Sequence, residues 1–319
     1  MKTTTKRILV IAAALIAAGI LFTGLGLFLG GRPGIAITSS GIRSASYNPE
    51  PYSLQKTKLD SFDSVSMVVN SYADIQILPS GDENYYLEYN LDGTYEKPFY
   101  EINNHTLTFS QDGTNSVIQT LGFFEYGFSS SDPYVILYIP QDKSINTLEL
   151  YNDSGDVDIE KVNAGNTELS VDYGDLYIKD TEFKALSLTL NSGDLEMEDT
   201  KAHSLELYND YGDATLKNFD CGTAQITMDS GDLSVDAARL ESLDCTNNYG
   251  EVSVRLPEKL DTYAFDLSAD YGDIHIPSDA LQGFYSSSGD MEQYYKTEGN
   301  GKYKITVYCD SGDIEIQER

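Results

Sequence analysis

The chain has 319 residues, with 21 Lys plus Arg against 51 Asp plus Glu, a net charge of −30, and 24 Tyr but no Trp. An anionic surplus of this size excludes nucleic acid as a partner, because a phosphate backbone is bound by clustered cations. Three cysteines, Cys221, Cys245 and Cys309, are too few for a disulfide scaffold and lack metal-ligand spacing; they read as buried thiols, with a Cys245–Cys309 bridge left open.

Lys2, Lys6 and Arg7 precede an uncharged run of 24 residues, 8–31. As a helix this run reaches about 36 Å, enough to cross a hydrocarbon layer of about 30 Å. Cations ahead of a span are held in the cytoplasm. Residues 1–7 are therefore expected to be cytoplasmic, 8–31 to be a transmembrane signal anchor in contact with lipid, and the remainder to lie outside. A cleaved signal peptide is the rival reading, but the run is long for one and no clean small-x-small cleavage site precedes a polar start. Beyond the anchor, 18 cations stand against 51 anions, or −33. Such acidity keeps a surface domain soluble.

Residues 32–59 are turn-rich, with Arg32-Pro33-Gly34 and Asn48-Pro49-Glu50-Pro51, and read as a linker. Residues 60–147 alternate apolar and polar positions, as in Val65, Met67, Val69 and in Tyr134–Ile139, and read as a β-rich cap with a degenerate first coil.

Residues 148–319 carry a repeat. Glycines fall at 155, 174, 193, 212, 231 and 250, each 19 residues apart, followed by Gly272 and Gly312. Each lies in the frame [Asp/Asn]-[Ser/Tyr]-Gly-[Asp/Glu]. Five residues before each Gly stands an apolar residue, such as Leu150, Leu169 or Leu188. Others follow two and four residues after it, as in Val157 and Ile159 or Leu176 and Ile178. This pattern predicts an all-β β-solenoid of 19-residue coils. One strand enters each corner, a second leaves it, and the apolar ladders face inward. Val162 and Phe219 are expected on a shorter third side. Residues 277–304 read as an insertion, with Ser288-Gly289-Asp290 in a loop or hairpin.

The repeated corners, the Leu-Gly-Gly end of the anchor and the terminal Asp310-Ser311-Gly312-Asp313-Ile314-Glu315-Ile316 resemble the putative adhesin domain family of bacterial surfaces. The resemblance covers roughly residues 60–319. It implies a β-solenoid and supplies no catalytic residues.

Two acidic ladders flank the corner. One includes Asp153, Asp172, Asp210, Asp229, Asp270 and Asp310; the other includes Asp156, Asp175, Asp194, Asp213, Asp232, Asp273 and Asp313. Stacked carboxylates repel unless solvated, paired or bridged by a cation. They read either as solvated turn residues or as Ca²⁺ ligands, the only cofactor the sequence brings into view. The residue before Gly alternates between Ser and Tyr through Gly250. Tyr173, Tyr211, Tyr249 and Tyr271 form a candidate aromatic face for a ligand; the bland alternative is that the alternation only eases ring packing.

His105, His203 and His275 are scattered, and no nucleophile motif accompanies them. Polysaccharide-active solenoid enzymes are the catalytic rival. They require one chemically distinct coil, whereas here every coil repeats the same corner. The expected function is therefore a non-catalytic surface module, of adhesin type, that binds a glycan, a cell-wall polymer or a protein. A sensor or regulatory scaffold acting through a membrane partner is the alternative.

Overall fold

The computed structural model describes residues 3–29, 35–38, 41–44, 50–93, 95–112, 132–277, 283–287, 292–297 and 301–319. The chain divides into two compact units. The first holds helix α1, Thr3–Phe28, and an antiparallel pair, Ile35–Thr38 with Gly41–Ser44. The stretch Thr5–Gly26 of α1 has a mean hydropathy of 2.7 and is long and apolar enough to cross a membrane.

The second unit is a β-solenoid. Each central coil has a long entering strand and a short leaving strand on either side of the glycine corner. Asn163–Tyr173 and Leu176–Lys179 make one such coil, and Glu182–Ser192 and Leu195–Glu198 the next. Consecutive coils pair in parallel at the repeat spacing, with Leu169 opposite Leu188 and Leu176 opposite Leu195. The inward ladders are buried throughout, except for half-buried Ile276. Alternation of period two produces this, since one face of each strand meets the core and the other meets water. Val162 and Phe219 are buried on the third side, in the same column as Thr181 and Thr200.

The third side begins at a second corner that carries no glycine. Lys161, Asp180, Asp199 and Asn218 all have φ between 50° and 53°. Asp and Asn tolerate this left-handed region better than other non-glycine residues. Thr181 and Thr200 then donate their hydroxyls to the carbonyls of Lys179 and Glu198, at 2.7 and 3.1 Å.

At both ends the order of coils in space departs from their order in the chain. The coil of Thr106–Gln111 and Tyr134–Ile139 lies outside that of Ser64–Tyr72 and Asp74–Pro79, which is thereby enclosed between it and the Gly155 coil. At the other end, Tyr303–Ser311 pairs in parallel with both the strand leading to Gly250 and Tyr263–Tyr271. The Gly312 coil therefore lies between the Gly250 and Gly272 coils. Antiparallel strands cover the terminal edges: Phe99–Asn103, Tyr85–Leu91 and Tyr52–Leu59 at one end, Gln293–Thr297 and Gly283–Ser287 at the other. A covered edge cannot template further strand pairing.

One boundary differs from the sequence reading. Residues 52–59, read as the end of the linker, form a strand because Leu54 and Leu59 turn inward against the Tyr85–Leu91 strand. Within 277–304, Gly283–Ser287 and Gln293–Thr297 pair antiparallel as the arms of a hairpin, and Tyr295 is buried where the second arm joins Tyr263–Tyr271. Ser288-Gly289-Asp290 lies outside the described residues.

Candidate functional site

The corners stack in one column: Ala73, Gly155, Gly174, Gly193, Gly212, Gly231, Gly250, Gly312 and Gly272. A Cβ placed on any of these eight glycines would fall 2.5–2.6 Å from the carbonyl carbon of the corner residue beneath it. Seven of the glycines also have φ between +112° and +151°; Gly272 does not. Close stacking therefore demands glycine at each of these eight corners, and a left-handed backbone adds to the demand at seven of them. Asn152 and Asn209 sit buried just before the corner and donate to the carbonyls of Gly155 and Gly212, each at 2.8 Å; Asn247 donates to Gly231 at 3.0 Å.

The carboxylate after each glycine has a defined task. Oδ1 of Asp156 accepts the backbone N–H of Asp175 at 2.9 Å. Asp175 does the same for Asp194, Asp194 for Asp213, Asp213 for Asp232 and Asp232 for Glu251, each at 2.8 Å. Asp74 begins the series beneath Asp156, and Asp313 serves Asp273. Each coil thus caps a backbone donor of its neighbour, as an N-cap residue does for a helix. In the other column, Asp172 accepts from Asn191 at 2.7 Å and from the hydroxyl of Tyr151 at 2.7 Å, and Asp229 accepts from Asn248 at 2.8 Å. The hydrogen bond to Asp172 pushes the Tyr151 phenol up to about 12.

The aspartates read as Ca²⁺ candidates therefore lie in two straight columns rather than in one cage. No group of three or more His, Cys, Asp or Glu among the described residues is arranged to hold a metal ion. The backbone hydrogen bonds explain Asp after the glycine without a cation.

Between the two carboxylate columns runs the residue before the glycine. Its order in space is Tyr72, Ser154, Tyr173, Ser192, Tyr211, Ser230, Tyr249, Ser311, Tyr271. Along the chain the alternation fails at Tyr271 and Ser311. In the folded molecule it is unbroken, because the Gly312 coil inserts between its two predecessors. The five tyrosines are 49–63% exposed. Exposure of this size fits both the packing reading, in which one side of a ring leans on its neighbour, and the ligand-face reading. A spacing of about 4.8 Å per coil puts successive tyrosines about 9.6 Å apart. Tyr173, Tyr211, Tyr249 and Tyr271 were legible as a face; Tyr72 was not, because its corner has Ala73 in place of glycine.

A shallow concavity of about 410 Å³ crosses the outer face of the entering strands, edged by Glu149, Glu168 and Glu206. These occupy one repeat position, which Ser187 and Gln225 fill in two further coils that line the same concavity. His105, His203 and His275 lie in separate coils. Cys221, Cys245 and Cys309 are free and buried.

The fold and its corner column define a capped β-solenoid with a regular aromatic ridge. Residues 65–317 match the family model described as Toastrack DUF4097, and the chain belongs to that family. Among solved structures it is similar to a putative adhesin from Parabacteroides distasonis ATCC 8503, with 14% identity, 82% of this chain and 95% of that one covered, and a TM-score of 0.49. A putative adhesin from Parabacteroides merdae ATCC 43184 also shares 14% identity, with 85% and 97% covered and a TM-score of 0.49. A putative lipid binding protein from Parabacteroides distasonis ATCC 8503 shares 16%, with 85% and 98% covered and a TM-score of 0.39. No curated protein matches the chain.

Proposed function

We propose that this protein is a non-catalytic, membrane-anchored module that displays its tyrosine ridge to a partner in the cell envelope. The observation that carries this reading is the unbroken alternation of five exposed tyrosines with serine along one edge of a rigid stack. Exposed aromatic side chains are the usual anchors of recognition surfaces, and a regular row suits an extended partner better than a small metabolite. The apolar helix, with Lys2, Lys6 and Arg7 ahead of it, supports an anchor with the solenoid outside. The repetition of one corner frame through successive coils supports a binding role over a catalytic one.

The test has two arms. Protease added to intact cells is expected to digest the solenoid and to spare the first seven residues; full protection of the solenoid would overturn the orientation. Full-length protein in nanodiscs is then sedimented with purified envelope fractions, alongside a variant with all five ridge tyrosines changed to Ser. Loss of co-sedimentation in the variant is expected. Equal binding by both proteins would place the contact off the ridge, and turnover of an envelope polysaccharide would overturn the non-catalytic reading.

A further inference from the structure

We infer that the occupant of the ridge is a linear β-1,4-linked polysaccharide of amino sugars with free amino groups, lying along the solenoid axis with one sugar per coil. The inference rests on the reading of the ridge as a docking surface, and three observations lead from there to the ligand.

The first is the period. Every corner sits on the one beneath it with the same 2.5–2.6 Å relation, so the ridge advances by a constant step. A tyrosine recurs every second step, about 9.6 Å apart. In an extended β-1,4-linked chain each pyranose ring is turned over relative to the last. The same ring face therefore returns every second residue, after an advance of similar length. A tyrosine under every second sugar stacks on that recurring face. The serine between them leaves room for the intervening ring and offers a hydroxyl to it.

The second is charge. The ridge runs between a column of carboxylates that begins at Asp156 and a second column, beginning at Asp153, in which Asn191 and Asn248 stand among the aspartates. In the Asp156 column, Oδ1 of each of Asp156, Asp175, Asp194, Asp213 and Asp232 takes a backbone N–H from the next coil, and among the described residues the one hydrogen bond to an Oδ2 of these five comes from the hydroxyl of Tyr177 to Asp175. Carboxylate oxygens accept well from ammonium and hydroxyl groups. The solenoid side of the chain carries −33, which repels anionic polymers. A chain of free amino sugars brings one cation per residue once its amines are protonated, matching the carboxylates after the glycines coil by coil.

The third is the exposure of the rings. Tyr173, Tyr211, Tyr249 and Tyr271 are each more than half exposed, which leaves aromatic surface open to a partner.

The test is calorimetric titration of full-length protein in nanodiscs with β-1,4-glucosamine oligomers of increasing length. The comparison ligands are the fully N-acetylated oligomers, β-1,3-linked glucan oligomers and poly-lysine of matched charge. Affinity for the glucosamine series should rise with length and level off at about nine residues, one for each corner. Tyr211→Ser should weaken it about tenfold, while Ser occupies the same column in neighbouring coils and leaves the fold intact. The N-acetylated oligomers should bind more weakly. Equal binding of poly-lysine, or a length dependence with no plateau, would reduce the interaction to charge and overturn the inference. Loss on Tyr211→Ser of binding to the β-1,3-linked chain alone would overturn the inference and leave the ridge as a docking surface. Binding of every ligand unchanged by Tyr211→Ser would overturn both.

Discussion

Ser311 lies in register between Tyr249 on one side and Tyr271 on the other, although both precede it in the chain. The Gly312 coil thus follows the Gly272 coil in the chain but precedes it in the stack. A terminal coil at a free edge has one neighbour, and an enclosed one has two. Enclosing the Gly312 coil gives its strands ladder partners on both sides and keeps the tyrosine ridge in step.

The glycine column predicts a sharp contrast between two substitutions. Gly193→Ala would set a Cβ 2.6 Å from the carbonyl carbon of Gly174 at a φ of +146°, and should cost at least about 2 kcal/mol. Gly81 also has a positive φ, +78°, but nothing stands within 4 Å of its Cβ position. Gly81→Ala should cost only about 1 kcal/mol. Urea unfolding of both variants measures the difference, and equal losses would show that stacking is not the constraint.

Asp194 predicts a separation of charge from hydrogen bonding. Its Oδ1 accepts the N–H of Asp213, so Asp194→Ala should cost about 1 kcal/mol, comparable to loss of a helix cap. Asp194→Asn keeps the acceptor and lowers repulsion within the column, and should leave the Tm within a degree or two or raise it. Millimolar Ca²⁺ should shift the Tm no more than Mg²⁺ at equal ionic strength. A Ca²⁺-specific rise reversed by EDTA would restore the aspartates as ligands.

Tyr151 predicts an alkaline dependence. Its phenol is held up to about 12 by Asp172, against an ordinary value of 10.0. A raised folded value means that the folded state keeps its proton longer than the unfolded chain does. The contribution is therefore complete below pH 10 and is lost as pH rises through about 12. Wild type should be more stable than Tyr151→Phe at pH 8, and the two should converge above pH 12. A constant gap in urea midpoints between pH 8 and 12 would remove the Asp172 bond as its cause.

The thiols predict silence in the native state. Burial pushes Cys221 and Cys309 up to about 12 and raises Cys245 as well. Since the thiolate is the reactive form, an aromatic disulfide reagent at pH 8 should label none of the three in folded protein and all three in denaturant. Rapid labelling of the native protein would place a cysteine at the surface.

The sequence by itself determined the coil. Gly155 through Gly250 recur every 19 residues because every turn meets the same steric demand. Ladders such as Leu150, Val157 and Ile159 announce the inward face because alternation is a local property of a strand. Tertiary structure alone decided what depends on which coils become neighbours. The corner at Lys161, Asp180, Asp199 and Asn218 is shared in φ while its side chains vary, so little in the letters marks it. The task of Asp156 or Asp194 requires a backbone N–H that lies one coil away. The ridge looks broken between Tyr249, Tyr271 and Ser311 when read along the chain, and becomes regular only after the Gly312 coil slides between its predecessors. Order within a stack is set by which edges gain hydrogen bonds and lose exposed apolar surface when they meet, and those gains are made between strands far apart in sequence.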